Sequence, residues 1–361
     1  MRFAVAERDA ALAGAAGEVL AKRVGAEQIR AGWPGGDPAG VDAVWHVLAE
    51  VGVVAALVPE SGPGSGSDTG PGPGLGSDTG PDTGTGTSTG LGLDENALPP
   101  LMEALGRSGL PVPAAETVAV GAPLLAAAGV PRLTDVLAGS ALLTASLAEG
   151  APVPFATRAE LFVVRAGDRL RLYERAEVRI EPVGSVDGSR GLARVVAPAD
   201  GGLPLAEGPD AVAVSWRRGV LATSALLVGL AERMLELTVA HVKERRQFGV
   251  PVGSFQAVKH ALADVELAVR FARPAVLAAG WAQAAGDPEA AVRTSMAKAL
   301  ASDAARLTAR TALQCHGAIG YTTEYELHLY AKRAWALAAD WGGPAEHREL
   351  IARALGLAPA G

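Results

Sequence analysis

The chain has 361 residues, 49% of them apolar but only 4% aromatic, and a formal net charge of -7. That length suggests two or three domains or one large multi-lobed unit, with a core mostly of Ala, Leu and Val; Ala and Leu favour helix. The acidic balance, without any basic block, argues against nucleic acid as the main partner. The lone cysteine, Cys315, rules out a disulfide framework within the chain and a zinc site built on several thiolates, so no metal is expected.

The opening "MRFAVAERDAALAGAAGEVLA" carries acids inside its apolar pattern, unlike a signal peptide, and no apolar run approaches the length of a membrane span. The expectation is a soluble cytoplasmic protein without a membrane partner. In "GVDAVWHVLAEVGVVAALVPE", Val41, Val44, Trp45, Leu48 and Val51 form one helical face, followed by a short extended run, "VVAALVPE". Residues Ser61–Gly90 contain "GSDTGP" twice and almost nothing apolar, so they read as a disordered insertion. They lack the lysine of a phosphate-binding loop and the Asp ladder of a calcium repeat.

Helix resumes after the insertion, with Leu98, Leu101, Leu105, Val118, Leu124 and Leu125 as core candidates and a break at Pro111 and Pro113. From about residue 140 the texture changes. "RLRLY" and "EVRIE" alternate polar and apolar residues as half-buried strands do, and "ARVVAP" adds another. A small antiparallel β domain is expected over 140–214, between an N-terminal helical domain (1–139) and a C-terminal helical bundle (215–361).

In the bundle, a first helix is expected from about Gly219 to Arg245. A second starts after an N-cap at Ser254 and buries Phe255, Val258, Leu262, Val265 and Val269, with a bend at Pro274. A third opens at Asp287–Pro288 and closes at Gly317.

Three segments carry a resemblance. "ALVPES", resumed after the insertion by "GLGLDE", is similar to one conserved segment of the acyl-CoA dehydrogenases. "ERRQFGVPVGSFQAVKHALAD" matches that family's R-x-x-F-G pattern with a later Gln, from Arg245 through Phe248 and Gly249 to Gln256. "QCHGAIGYTTEYELHLYAKRA" matches its Gln-x-x-Gly segment from Gln314. The resemblance covers most of the chain and is weakest in the β domain. It implies a mostly α fold with a central β domain and a C-terminal four-helix bundle, FAD as cofactor and an acyl-CoA thioester as substrate. The reaction it implies is α,β-dehydrogenation: a carboxylate takes the α proton and the flavin takes the β hydrogen as hydride.

Such subunits form homo-dimers or tetramers, or hetero-tetramers with a complete paralogue, as in actinobacterial assemblies acting on bulky acyl-CoAs that include steroid side chains. An electron-transfer flavoprotein is the implied redox partner. By position, Arg245 would pair with the pyrophosphate of another subunit's FAD, a role suited to a planar guanidinium. Phe248 would pack beside that cofactor and Gln256 would bond near its adenosine half. Gln314 and the turn at Gly317 would let backbone approach it. The residues taken one at a time allow a plainer reading, in which Arg245 and Arg246 complement a helix C-terminus and Phe248 is core.

The resemblance also marks departures. Trp341 stands where many relatives carry the catalytic Glu, with Asp340 just before it, which taken alone reads as a solvated Asp in a helix linker. Gly219 marks the other place where relatives carry a base. Trp is a donor only. The segments that hold the flavin ring are absent, leaving Thr144 or Ser146 as hydroxyls that could substitute. Three readings follow: a self-sufficient dehydrogenase with Asp340 as base, a catalytically incomplete subunit that lends Arg245 and Phe248 to a complete partner, or a non-enzymatic scaffold. Glu346 and His347 read as the solvated start of the last helix.

Overall fold

The computed structural model describes residues 5–60, 90–198 and 200–357. The Gly-rich insertion, apart from Gly90, lies outside the described residues. The N-terminal part holds α1 (Glu7–Arg23), α2 (Ala26–Ala31), α3 (Ala39–Glu50), α4 (Leu98–Ser108), α5 (Ala122–Ala127) and α6 (Leu133–Leu137). Helix α1 buries Leu12, Ala16 and Leu20, one residue per turn, and places Glu7 and Asp9 in its first turn and Lys22 and Arg23 in its last, where each charge opposes the helix dipole.

Helix α3 buries the expected Val41, Val44, Trp45 and Leu48. The run after it is not extended. Val53–Val58 are buried in successive tight turns closed by bonds such as Ala55 N to Gly52 O (3.1 Å) and Val58 N to Ala55 O (3.1 Å). Close packing of small side chains there outweighs their β propensity. A π-helical turn, Ala115–Gly121, leads into α5.

The middle of the chain gives β1 (Leu143–Ser146), β2 (Leu161–Ala166), β3 (Arg169–Glu174), β4 (Arg179–Pro182), β5 (Ala193–Val196) and β6 (Leu203–Glu207). Their order is β1-β2-β3-β6 in one sheet and β4-β5 in another. The sheet is not purely antiparallel: β1 pairs parallel with β2, Leu143 opposite Leu161, because residues 147–160 carry the chain back before β2 starts. Val153, Phe162, Tyr173 and Ala193 make a small core of their own there.

The first bundle helix starts well before Gly219. Helix α7 spans Pro209–Glu244, so residues 209–214, assigned from the sequence to the β domain, form its first turns. Pro209 supplies the fixed φ suited to a first helical position. Then come a two-residue hairpin, β7 (Arg246–Gln247) and β8 (Val250–Pro251), and α8 (Gln256–Ala284), α9 (Ala290–His316), α10 (Leu327–Ala339) and α11 (Pro344–Ala354). Helix α8 is not interrupted at Pro274. It is held along its length by α7 and α9, and that packing offsets the lost hydrogen bond. Ser254 is not its N-cap. Phe255 occupies that position and is exposed rather than buried, because it precedes the helix instead of joining its packed face, and Ser254 Oγ donates to Pro251 O (2.7 Å).

The N-terminal and C-terminal helices share one core through α4 and α7. A β-carbon added at Gly106 would sit 2.1 Å from Leu226 O, and one added at Gly229 would sit 2.0 Å from Glu103 O. Only glycine lets the two backbones meet this closely.

Candidate functional site

The structure sorts the singled-out residues into two places. Arg245, Phe248, Gln256, Gln314 and Gly317 lie together and exposed at one end of the bundle. Helices α7 and α9 end there, their last turns joined by His241 stacked on His316, ring centroids 4.3 Å apart, with Tyr325 against both. Burial pushes both imidazoles below their ordinary value, aided at His241 by Arg245 and at His316 by His241, which favours the neutral form of the stacked pair. Helix α8 starts at the same end, with Gly253 against Val242. Gly317 has φ +64, a conformation that favours glycine, and nothing within 4 Å of an added β-carbon.

Phe248 is not core. It tips the β7–β8 hairpin, 92% exposed, and takes φ +55, which costs a bulky residue strain. The following Gly249, at φ +82, completes a two-residue turn of the kind that normally carries Asn-Gly. The Arg245 guanidinium makes no hydrogen bond or ion pair with any described residue. Large apolar side chains are also exposed on α8 (Leu267 and Phe271) and on α9 (Met296, Leu300 and Leu307).

Asp340 lies elsewhere, among buried charges where the N-terminal helices, the β domain and the bundle meet. It is not a solvated linker residue. Its carboxylate accepts from Arg190, which is itself buried. Asp187 accepts from Arg333 Nε (2.9 Å) and Ser189 Oγ (2.5 Å), and Arg333 also donates to Gly109 O (3.2 Å) and Leu110 O (2.7 Å). Glu116, on the π-helical turn, is only 3% exposed. Burial first, and then the Asp340 charge, push its carboxyl up to about 7, with Arg190 and Arg333 opposing. Glu116, Arg190 and Arg333 line a cavity of about 20 Å³ whose other walls include Phe155, Leu226 and Leu230.

Gly219 and Trp341, the two positions that the resemblance marks for a base, meet in space, and an indole fills the meeting point. A β-carbon on Gly219 would stand 2.4 Å from the Trp341 ring, and Trp216 lies beside it with ring centroids 5.4 Å apart. The turn that carries Trp341 is strained and pinned. Trp341 has φ +53 and Gly342 φ +88. His347, buried rather than solvated, donates from Nε2 to Trp341 O (2.9 Å). The fully buried Lys298 donates to Ala338 O (3.1 Å), Gly342 O (2.9 Å) and Ser302 Oγ (3.3 Å). Thr144 has no free hydroxyl: it is fully buried and donates to Pro154 O (2.6 Å).

Sequence reasoning missed Glu116, Arg190, Lys298 and Arg333. A signal existed for two of them. Glu116 is the sole acid in the apolar run "PVPAAETVAVGAP", and Lys298 falls on the buried face of α9 with Ser295 and Ser302. Among the described residues no group of His, Cys, Asp and Glu could hold a metal ion, and no helix is long and apolar enough to cross a membrane.

Known proteins agree on the family. The profile described as "Acyl-CoA dehydrogenase, C-terminal domain" matches residues 212–356. The chain is 31% identical over 336 residues to the acyl-CoA dehydrogenase IpdE2 of Mycobacterium tuberculosis, covering 91% of each protein. Among solved structures, the fold matches a chain of the Tcur3481-Tcur3483 steroid ACAD G363A variant with a TM-score of 0.81 at 23% identity, covering 98% of this chain and 99% of that one. It matches a chain of the ChsE4-ChsE5 complex from Mycobacterium tuberculosis with a TM-score of 0.77 at 23% identity, covering 100% of both. With identity of this level along nearly its whole length, and with its helical, β and helical parts in matching order, the chain belongs to the acyl-CoA dehydrogenase family.

Proposed function

We propose that this chain is a supporting subunit of an FAD-dependent acyl-CoA dehydrogenase assembly, one that completes the cofactor site of a catalytically complete paralogue. The observation that carries this reading is the hairpin at the end of α7. It spends backbone strain to hold Phe248 out in solvent beside Arg245, whose guanidinium pairs with none of the described residues. An exposed aromatic on a rigid turn is a typical anchor for another subunit.

The residues at that end fit the edge of a cofactor held by a neighbour. Arg245 supplies a planar cation for a pyrophosphate, and Gln256 and Gln314 supply exposed amides. Gly317 supplies backbone that can be approached closely. Bound FAD supplies the redox chemistry of α,β-dehydrogenation. This chain's part is to bind and orient. The apolar side chains exposed on α8 and α9 give the assembly further area to bury.

The lone chain lacks a free base where the family carries one. Trp341 is a donor only, Gly219 has no side chain, and Asp340 is engaged by Arg190. The α proton next to a thioester is weakly acidic and needs a positioned base, which the partner provides. An acyl-CoA with a bulky, steroid-type acyl group is the proposed substrate, and an electron-transfer flavoprotein the proposed electron acceptor. The structural neighbour described as a steroid ACAD supports the substrate class, and the one described as the ChsE4-ChsE5 complex supports a mixed assembly.

The test is single-turnover flavin bleaching by acyl-CoA, with the chain alone and co-expressed with a complete paralogue. Bleaching only in the mixed assembly, unchanged by Asp340→Asn, is expected. Rapid bleaching by the lone flavin-loaded chain, abolished by Asp340→Asn, would make Asp340 the base and overturn the reading.

A further inference from the structure

Three acids and two guanidiniums meet at the buried junction, and their pairing is uneven. Arg333 is fully engaged by Asp187, Ser189 and the carbonyls of Gly109 and Leu110. Arg190 is not. Its terminal nitrogen serves Asp340, while its Nε is buried with no partner. Glu116 lines the same small cavity as Arg190. That cavity holds about one water, enough room for a carboxyl to turn. Glu116 also stands on a π-helical turn, a local geometry that recurs at functional sites.

We propose that Glu116 and Asp340 compete for Arg190, so that the protonation of Glu116 decides whether the Asp340–Trp341 turn is held on Gly219 or released. Neutral Glu116 leaves Arg190 to Asp340, and the turn stays pinned. Ionised Glu116 accepts from the free Nε edge and draws the guanidinium towards the π-helical turn, weakening its hold on Asp340. Strain at Trp341 then favours release.

The groups facing Glu116 are few. Arg190 faces it from the β domain, Arg333 from α10 and Asp340 from the turn after α10. Around the cavity that Glu116 lines, α4 and α7 contribute Leu105, Gly106, Leu226 and Leu230, the segment before the π-helical turn contributes Leu110, Val112 and Ala114, and Phe155 and Leu337 complete the apolar wall. Burial and the Asp340 charge bring the Glu116 carboxyl up to about 7, so the exchange falls near neutrality. The inference concerns this chain's own side chains and stands apart from the proposed partner.

The test uses the full chain labelled with 5-fluorotryptophan, followed by fluorine NMR from about pH 5.5 to about pH 8.5. The Trp341 resonance is assigned with Trp341→Phe. In the wild type it moves with a midpoint near 7. Glu116→Gln should hold it at the low-pH position throughout, and Asp340→Asn should hold it at the high-pH position throughout. A Trp341 resonance that does not move with pH overturns the inference. So does a step that survives in Glu116→Gln, since it would belong to Lys298 or His347, which also touch the turn.

Discussion

Replacing Lys298 by Met should change how stability depends on pH more clearly than it changes stability at any one pH. Lys298 is fully buried on α9, and burial depresses its ammonium from 10.5 to about 8; Arg190 adds to this, while Asp340 and Glu346 oppose it. Below about pH 8 both folded and unfolded chains carry the proton, and the folded chain bears the full cost of a buried charge. Between about 8 and 10.5 the unfolded chain keeps a proton that the folded chain has lost, so stability rises with pH. At about 1.4 kcal/mol per pH unit, the total gain is about 3 kcal/mol.

Met fills similar space without a charge, so its stability lacks this rise. It also leaves Ala338 O and Gly342 O without their donor, a loss of about 1–3 kcal/mol each that does not vary with pH. Urea unfolding followed by circular dichroism, at about pH 7.5 and about pH 10, measures both parts. The wild type should gain roughly 2–3 kcal/mol relative to Lys298→Met between these conditions. Parallel stability curves for the two proteins would refute the reasoning, because they would mean that Lys298 is not held charged in a dry site.

Phe248→Asn should stabilise the isolated chain by about 0.5–1 kcal/mol, since Asn tolerates the left-handed turn, and weaken subunit association by about 2 kcal/mol. Thermal unfolding and sedimentation of the mixed assembly read the two effects. Gly229→Ala places a β-carbon 2.0 Å from Glu103 O and should cost about 1–3 kcal/mol by forcing α4 from α7. Gly14→Ala on the exposed face of α1, with nothing within 4 Å, should instead gain about 0.5–1 kcal/mol, and denaturant unfolding of the pair checks both. Asp187→Asn should cost about 3–5 kcal/mol at neutral pH by leaving Arg333 buried and unpaired. Burial raises the Asp187 carboxyl, but Arg333, Ser189 and Arg190 together bring it below 3.8. The wild type should therefore lose this contribution as pH falls from 3.8 through the folded value, while the variant shows no such step in acid unfolding.

The sequence by itself determined the elements whose cause is local. Spacings of three and four buried the right face of α3, alternation placed β3 and β4, and glycine at 317 marked the end of α9. The family was legible because its motifs are contiguous: Arg245 to Gln256 and Gln314 to Tyr325 are each read within a few turns of chain. What depends on distant segments was not legible. Pro274 inside α8 follows from helix packing, which overrides local propensity.

The partner of Asp340 could not be read either, because Arg190 lies 150 residues away and meets it only when the β domain docks on α10. The same holds for Trp341 against Gly219, and for Lys298 and His347 beneath the turn. A buried charge is tolerated only where the fold brings a counter-charge or carbonyls to it, so its neighbours are decided by tertiary structure alone.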